Sequence, residues 1–137
     1  NQFSDYQGNK ILWYSYYPEF YDMDTEKWIH IDTTHIPNDL FSFKIREDSE
    51  SYNFEVLGVW KENYDYIMFL RFANEMFFIV QQEHCIKQSK KLLTLKDSER
   101  AYLARKNNGD FVVLIQNKTT GDAQFILIAT NEDILWY

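Results

Sequence analysis

Two apolar runs, residues 67–72 (IMFLRF) and 76–80 (MFFIV), set the tightest limit on how this chain can fold. Both are short and rich in aromatic and β-branched residues. Only Ala73-Asn74-Glu75 separates them, which reads as a hairpin connection. A strand with water on one face alternates apolar and polar residues. Met68, Phe69, Phe72, Met76, Phe77 and Phe78 crowd this hairpin without alternating, so apolar side chains stand on both of its faces. A second covering layer, an interface between molecules, or an interior filled by a ligand would each satisfy that arrangement.

Strand signals recur along the chain. Phe41, Phe43 and Ile45 follow a two-residue period, and Tyr52, Phe54 and Val56 alternate with Asn53 and Glu55. Residues 10–17 and 28–33 read as two earlier strands, the first carrying Trp13, Tyr14, Tyr16 and Tyr17 on both faces. Residues 111–115 and 125–128 form a second pair around Thr119-Thr120-Gly121-Asp122, where Gly supplies a positive φ. A last short strand is expected over 134–137, after a turn at Asn131-Glu132-Asp133. The hydrophilic stretches 19–27 and 47–51 read as exposed loops. Residues 92–106 differ, with Leu, Ala, Arg, Lys and Glu in place of β-branched residues. Thr94 or Asp97 can cap a helix start and Asn108-Gly109 can close its end, so a helix is expected over about 96–106. The competing reading is a strand that turns at Asn107-Asn108-Gly109-Asp110 into Phe111. The expected fold is mainly β: an antiparallel meander barrel or sandwich of eight to ten short strands with one late helix. A length of 137 residues suits a single domain over 1–137.

Composition narrows the function. Aromatic residues make up 18% of the chain, against 4 Gly and 2 Pro, which excludes a disordered or collagen-like chain and the usual glycine-cradled nucleotide site. The net charge of -7 weighs against nucleic acid as a partner. Residues 84–106 nevertheless hold half of the 14 basic side chains, while residues 1–60 are strongly acidic. The basic segment reads as a solvated face or as a docking patch for an acidic partner. A single cysteine, Cys85, rules out an intrachain disulfide. No apolar run has the length of a transmembrane segment. The chain starts at Asn1 without Met, which leaves a secreted or periplasmic location open beside a cytoplasmic one. Asn117-Lys118-Thr119 fits the N-glycosylation acceptor pattern.

Chemistry-bearing constellations are few. His30 and Asp32 would share a strand face at the H-x-D spacing of a two-histidine, one-carboxylate iron site. The simpler reading is a polar strand end, and no metal or cofactor is expected. His84 and Cys85 are sequence neighbours and would point apart on a strand; a buried or half-buried cysteine is expected. Asp22-Met23-Asp24-Thr25-Glu26 places oxygens at alternate positions but lacks the turn Gly and distal Glu of a calcium loop. No G-x-S-x-G, P-loop, C-x-x-C or H-E-x-x-H occurs, so the protein is expected not to be an enzyme.

Asn9-Lys10-Ile11-Leu12-Trp13-Tyr14-Ser15-Tyr16-Tyr17-Pro18 resembles the opening strand of a lipocalin, with Trp-Tyr followed by Pro. It departs from that pattern at Ile11, where the family places a glycine, and in having no disulfide. The resemblance implies an eight-stranded barrel that binds a small apolar ligand, with Trp13 closing its floor. Together with the two-faced aromatic strands it sets the first functional expectation, a non-enzymatic protein holding a small hydrophobic ligand in a β-barrel. Trp13, Tyr14, Tyr16, Phe54, Met68 and Phe78 are the expected ligand contacts. The alternative is an acidic protein-binding module, of inhibitor or immunity type. It would meet a basic partner through Tyr21, Asp22, Asp24, Glu26 and Trp28.

Overall fold

The computed structural model describes residues 2–34 and 54–128. All regular structure among them is strand: β1 (Gln2–Tyr6), β2 (Asn9–Trp13), β3 (Glu19–Asp22), β4 (Lys27–His30), β5 (Phe54–Glu62), β6 (Asp65–Phe72), β7 (Glu75–Gln82), β8 (Cys85–Thr94), β9 (Glu99–Arg105), β10 (Phe111–Asn117) and β11 (Ala123–Ile128). They form three antiparallel sheets, ordered β1-β2-β3-β4, β5-β6-β7-β8 and β11-β10-β9. The mainly β expectation holds, but the described residues alone carry eleven strands against the eight to ten expected, and the sheets do not close into a barrel. The strand at Phe41–Ile45, the loop at 47–51, Tyr52 and Asn53, the turn at 131–133 and the strand over 134–137 all lie outside the described residues. The chain divides into two compact units, Asn1–Thr94 and Leu95–Tyr137.

In the first unit, hairpin turns of two residues set the register. Gln7-Gly8 joins β1 to β2, with φ of 53° and 83°, as the right-handed twist of paired strands demands. Asn63, Ala73 and Glu83 open the three turns of the second sheet, each with positive φ (56°, 51° and 51°). These turns recur every ten residues because β6 and β7 are each eight residues long. The expected hairpin around Ala73-Asn74 is among them, pairing Phe72 with Glu75.

The core lies where the inward faces of the two four-stranded sheets meet. Ile11, Trp13, Phe20 and Ile29 come from the first sheet; Phe54, Val59, Met68, Leu70, Phe77 and Ile79 from the second. Ring contacts fill it, including a tilted Phe54–Phe72 pair at 5.1 Å and an edge-on Phe72–Phe77 pair at 5.9 Å between centroids. The other face of the second sheet is buried as well. Trp60, Ile67, Phe69, Met76, Phe78 and Val80 lie on it and all are buried. Phe69 packs against Phe78 at 5.2 Å and against Trp60 at 6.2 Å. The central strands β6 and β7 are therefore dry on both sides, which is why they carry unbroken apolar runs, while the edge strand β8 is exposed or half-buried throughout. A bulge between Val56 and Gly58 brings Val59 onto the core face and Trp60 onto the other.

Several expectations need correction. Residues 10–17 are not one strand: β2 stops at Trp13, and Tyr14 to Tyr17 form a turn closed by the Tyr17 N–H on the Tyr14 carbonyl at 3.4 Å. Its tyrosines are therefore loop residues, and Pro18 at its exit has no N–H to extend a ladder. Residues 19–27 are the β3–β4 hairpin and not only a loop, with Phe20 and Asp22 turned inward.

The late helix over 96–106 is not formed. In the second unit, β9 pairs along its whole length with β10, from Glu99↔Asn117 to Phe111↔Arg105. Helix propensity is a weak prior that a seven-residue ladder overrides. The competing reading, a turn through residues 107–110, is the one observed, with Gly109 at φ 98°. Asn117 shapes the next turn by accepting from the Thr119 and Thr120 N–H groups at 2.9 and 3.0 Å, while Gly121 supplies the positive φ. The glycosylation-type Asn117 thus serves as a turn cap.

Candidate functional site

The outward face of the first sheet carries an apolar row that crosses all four strands. The register pairs Phe3 with Leu12, Leu12 with Tyr21, and Tyr21 with Trp28. Residues opposite one another in a ladder share a face, so these four side chains stand side by side over about 14 Å of sheet. Phe3 is 53% and Trp28 51% exposed, and the Tyr21 and Trp28 rings lie 5.2 Å apart. Carboxylates fringe the row: Asp5 on β1, Glu19 on β3, and Asp24 and Glu26 on the β3–β4 turn. Beyond β2, Tyr14, Tyr16 and Tyr17 are exposed on the next turn and surround a shallow depression.

Beneath this face sits a buried polar node. Asp22 is fully buried on the inward side of β3. Its Oδ2 accepts from the Tyr66 hydroxyl at 2.6 Å and from Lys61 Nζ at 2.7 Å, tying the first sheet to β5 and β6. Its Oδ1 accepts from the Asp24 and Thr25 N–H groups at 3.0 and 3.3 Å, which folds the β3–β4 turn. Burial opposes the charged carboxylate, but the bonds from Lys61, Tyr66 and Thr25 outweigh it and hold the Asp22 pKa below its ordinary value. Burial, and then the bond to Asp22, push the Tyr66 phenol well above its usual range, so it stays a donor. A second tie uses buried Gln81, which accepts from the Asp32 N–H at 3.0 Å and donates to the His30 carbonyl at 2.8 Å and the Glu83 carbonyl at 2.6 Å. These bridges fix the first sheet against the second.

At the end of the unit where the β3–β4, β5–β6 and β7–β8 turns gather, an open cleft of about 760 Å³ lies over this node. Trp28 and Tyr64 supply aromatic surface; Lys27, Lys61, Gln82 and Glu83 supply polar groups. Cys85 also lines it and is exposed, contrary to the buried thiol expected from sequence. It sits at the first position of β8, beside a turn, where little covers it.

The expected ligand contacts are not brought to one place. Trp13, Phe54 and Met68 are in the core between the sheets, Phe78 is on the opposite face of the second sheet, and Tyr14 and Tyr16 are on the exposed turn. The Trp13 indole N–H is buried with no acceptor among the described residues. Of the alternative partner contacts, Tyr21 and Trp28 stand together on the outward face, Asp24 and Glu26 are exposed at its fringe, and Asp22 turns inward. His30 faces outward with Nδ1 3.8 Å from Glu19, whereas the Asp32 carboxylate caps its own turn through Thr34. No group of three or more His, Cys, Asp or Glu among the described residues is placed to hold a metal. The basic segment is partly neutralised in place: Lys87 pairs with Asp65 at 3.0 Å and Lys91 with Glu75 at 2.7 Å. No described helix is long and apolar enough to cross a membrane.

Lys61, Tyr66 and Gln81 were not singled out from sequence. The available signal was Phe20 and Asp22 sharing one face of an alternating segment, which places a carboxylate inside and requires buried donors to meet it. Comparison with protein-family models, with curated proteins and with solved structures found no match to this chain.

Proposed function

We propose that this protein is a non-enzymatic binding module that docks a basic protein partner on the outward face of its first sheet. The observation that carries this reading is the row Phe3–Leu12–Tyr21–Trp28, solvent-facing and fringed by carboxylates. Tyr and Trp give large contact area at low entropic cost and dominate the centres of protein interfaces. Acidic fringe groups steer a basic partner and add salt dependence. The inward bridges at Asp22 and Gln81 keep the sheet rigid, which lowers the cost of ordering on binding. Phe125 and Leu127 are also exposed, on the edge strand β11 of a three-stranded sheet, whereas the row in the first sheet crosses four strands. An apolar-ligand barrel is the less favoured reading, because side chains fill the space between the sheets.

The test is affinity capture from the source organism's lysate with the wild-type chain and with Tyr21→Ser/Trp28→Ala, over a salt series. The expected result is a partner of basic pI whose capture falls with salt and is lost in the double variant. Capture of the same protein by both forms, or capture indifferent to salt, would overturn the proposal.

A further inference from the structure

The open cleft at the turn end of the first unit is not used by the docking face beyond the shared Trp28. We infer that it is a carbohydrate-binding site, taking a short, uncharged oligosaccharide. Its volume of about 760 Å³ falls within the ~300–1,000 Å³ of small-ligand sites. Its charge balance argues against an ionic ligand. Lys61 is already neutralised by Asp22 at 2.7 Å, and Glu83 lines the cleft along with Lys27. A phosphate or carboxylate would find no surplus of cations, and a lipid would meet too many polar groups. A sugar ring offers what these walls complement: an apolar C–H face and an edge of hydroxyls that both donate and accept.

The walls supply both kinds of contact. Trp28 and Tyr64, 51% and 80% exposed, offer stacking surfaces at the mouth. Lys27 and Lys61 donate, the Glu83 carboxylate accepts, and the Gln82 amide does both. Two-residue turns fix the backbone at Tyr64 and Glu83, and the β3–β4 ladder fixes it at Lys27 and Trp28, so the chain positions that carry these groups are set before a ligand arrives.

The experiment titrates the full chain with cellobiose, maltotriose, lactose and N,N′-diacetylchitobiose up to about 10 mM, well beyond the ~1 mM constants of marginal binding. Tryptophan fluorescence and calorimetry report binding. The rate at which Cys85 reacts with a thiol reagent reports occupancy of the cleft. At least one saccharide is expected to saturate both signals and to slow the labelling of Cys85. Tyr64→Ala is expected to weaken it by about three- to tenfold, the effect of losing one stacking contact. Tyr64 lies outside the docking row, so this variant keeps partner capture, and failure of the sugar site is separable from failure of the docking face. No saturable binding by any of the four sugars would overturn the inference. So would affinity unchanged in Tyr64→Ala, Cys85 labelling unaffected by a bound sugar, or adenosine or inorganic phosphate binding more tightly than every sugar.

Discussion

Replacing Asp22 with Asn removes one charge and leaves the shape of the side chain intact. In the native chain this carboxylate is fully buried and receives Lys61 at 2.7 Å and Tyr66 at 2.6 Å. Hydrogen bonds to a charged group are each worth about 1.5–3 kcal/mol, and breaking a buried pair by removing one partner costs about 3–5 kcal/mol. Lys61 would be left largely covered, since its side chain is only 13% exposed. Asp22→Asn is therefore expected to cost about 3–4 kcal/mol. In urea, with a slope of about 1.5 kcal/mol/M, the midpoint should fall by roughly 2 M. Equilibrium denaturation of the full chain, followed by the fluorescence of buried Trp13 and Trp60, measures it. Asp65→Asn is the internal control. Its pair with Lys87 at 3.0 Å is exposed, so that change should cost less than about 1 kcal/mol. Adding Lys61→Met to Asp22→Asn removes the orphaned charge and should recover part of the loss. Equal costs for Asp22→Asn and Asp65→Asn would refute the reasoning, because a carboxylate that ties two sheets together cannot behave like one on the surface.

Three further outcomes follow from the same geometry. Because the folded pKa of Asp22 is depressed, its stabilisation is fully present above the unfolded value near ~3.9 and is lost as pH falls through the lower folded value; acid titration of wild type should show this loss below about pH 4, and Asp22→Asn should flatten it. Gly58→Ala puts a Cβ into the Trp60 ring, which packs over that glycine, and should cost about 1–3 kcal/mol by displacing the indole, visible as a red-shifted tryptophan emission. Ala73→Gly relieves a positive φ of 51° at the β6–β7 turn and should raise stability by about 0.5–1 kcal/mol in the same denaturation assay; a loss would mean the turn is not strained as described.

The second sheet was the most legible part of the chain. Its paired apolar runs, three residues apart, specify a hairpin and a dry position by pattern alone, and β6 and β7 follow that pattern. The ten-residue recurrence of Asn63, Ala73 and Glu83 was not legible, because only one of these three turn openers is a residue that favours positive φ. Residues 99–105 misled through composition: Glu, Arg and Ala favour a helix locally, while the ladder to β10 is decided by residues six to eighteen positions away. The tyrosine-rich stretch after Trp13 looked like strand because aromatics favour strands, yet the turn there is held by tertiary bonds, including the Val56 N–H on the Ser15 carbonyl at 2.6 Å. Tyr21 and Trp28 were recognised as candidate contacts. Their alignment with Phe3 and Leu12 depends on register across three strand pairs, which composition does not fix.

Photo-crosslinking of the captured partner tests the docking face most directly. A benzoylphenylalanine placed at position 28, and in a separate protein at position 125, keeps the chemistry equal while moving it from the aromatic row of the first sheet to β11. Covalent capture of the basic partner from position 28, weakening as salt rises, and little or none from position 125 is the predicted result. Efficient capture from position 125 with none from position 28 would contradict the assignment of the binding face.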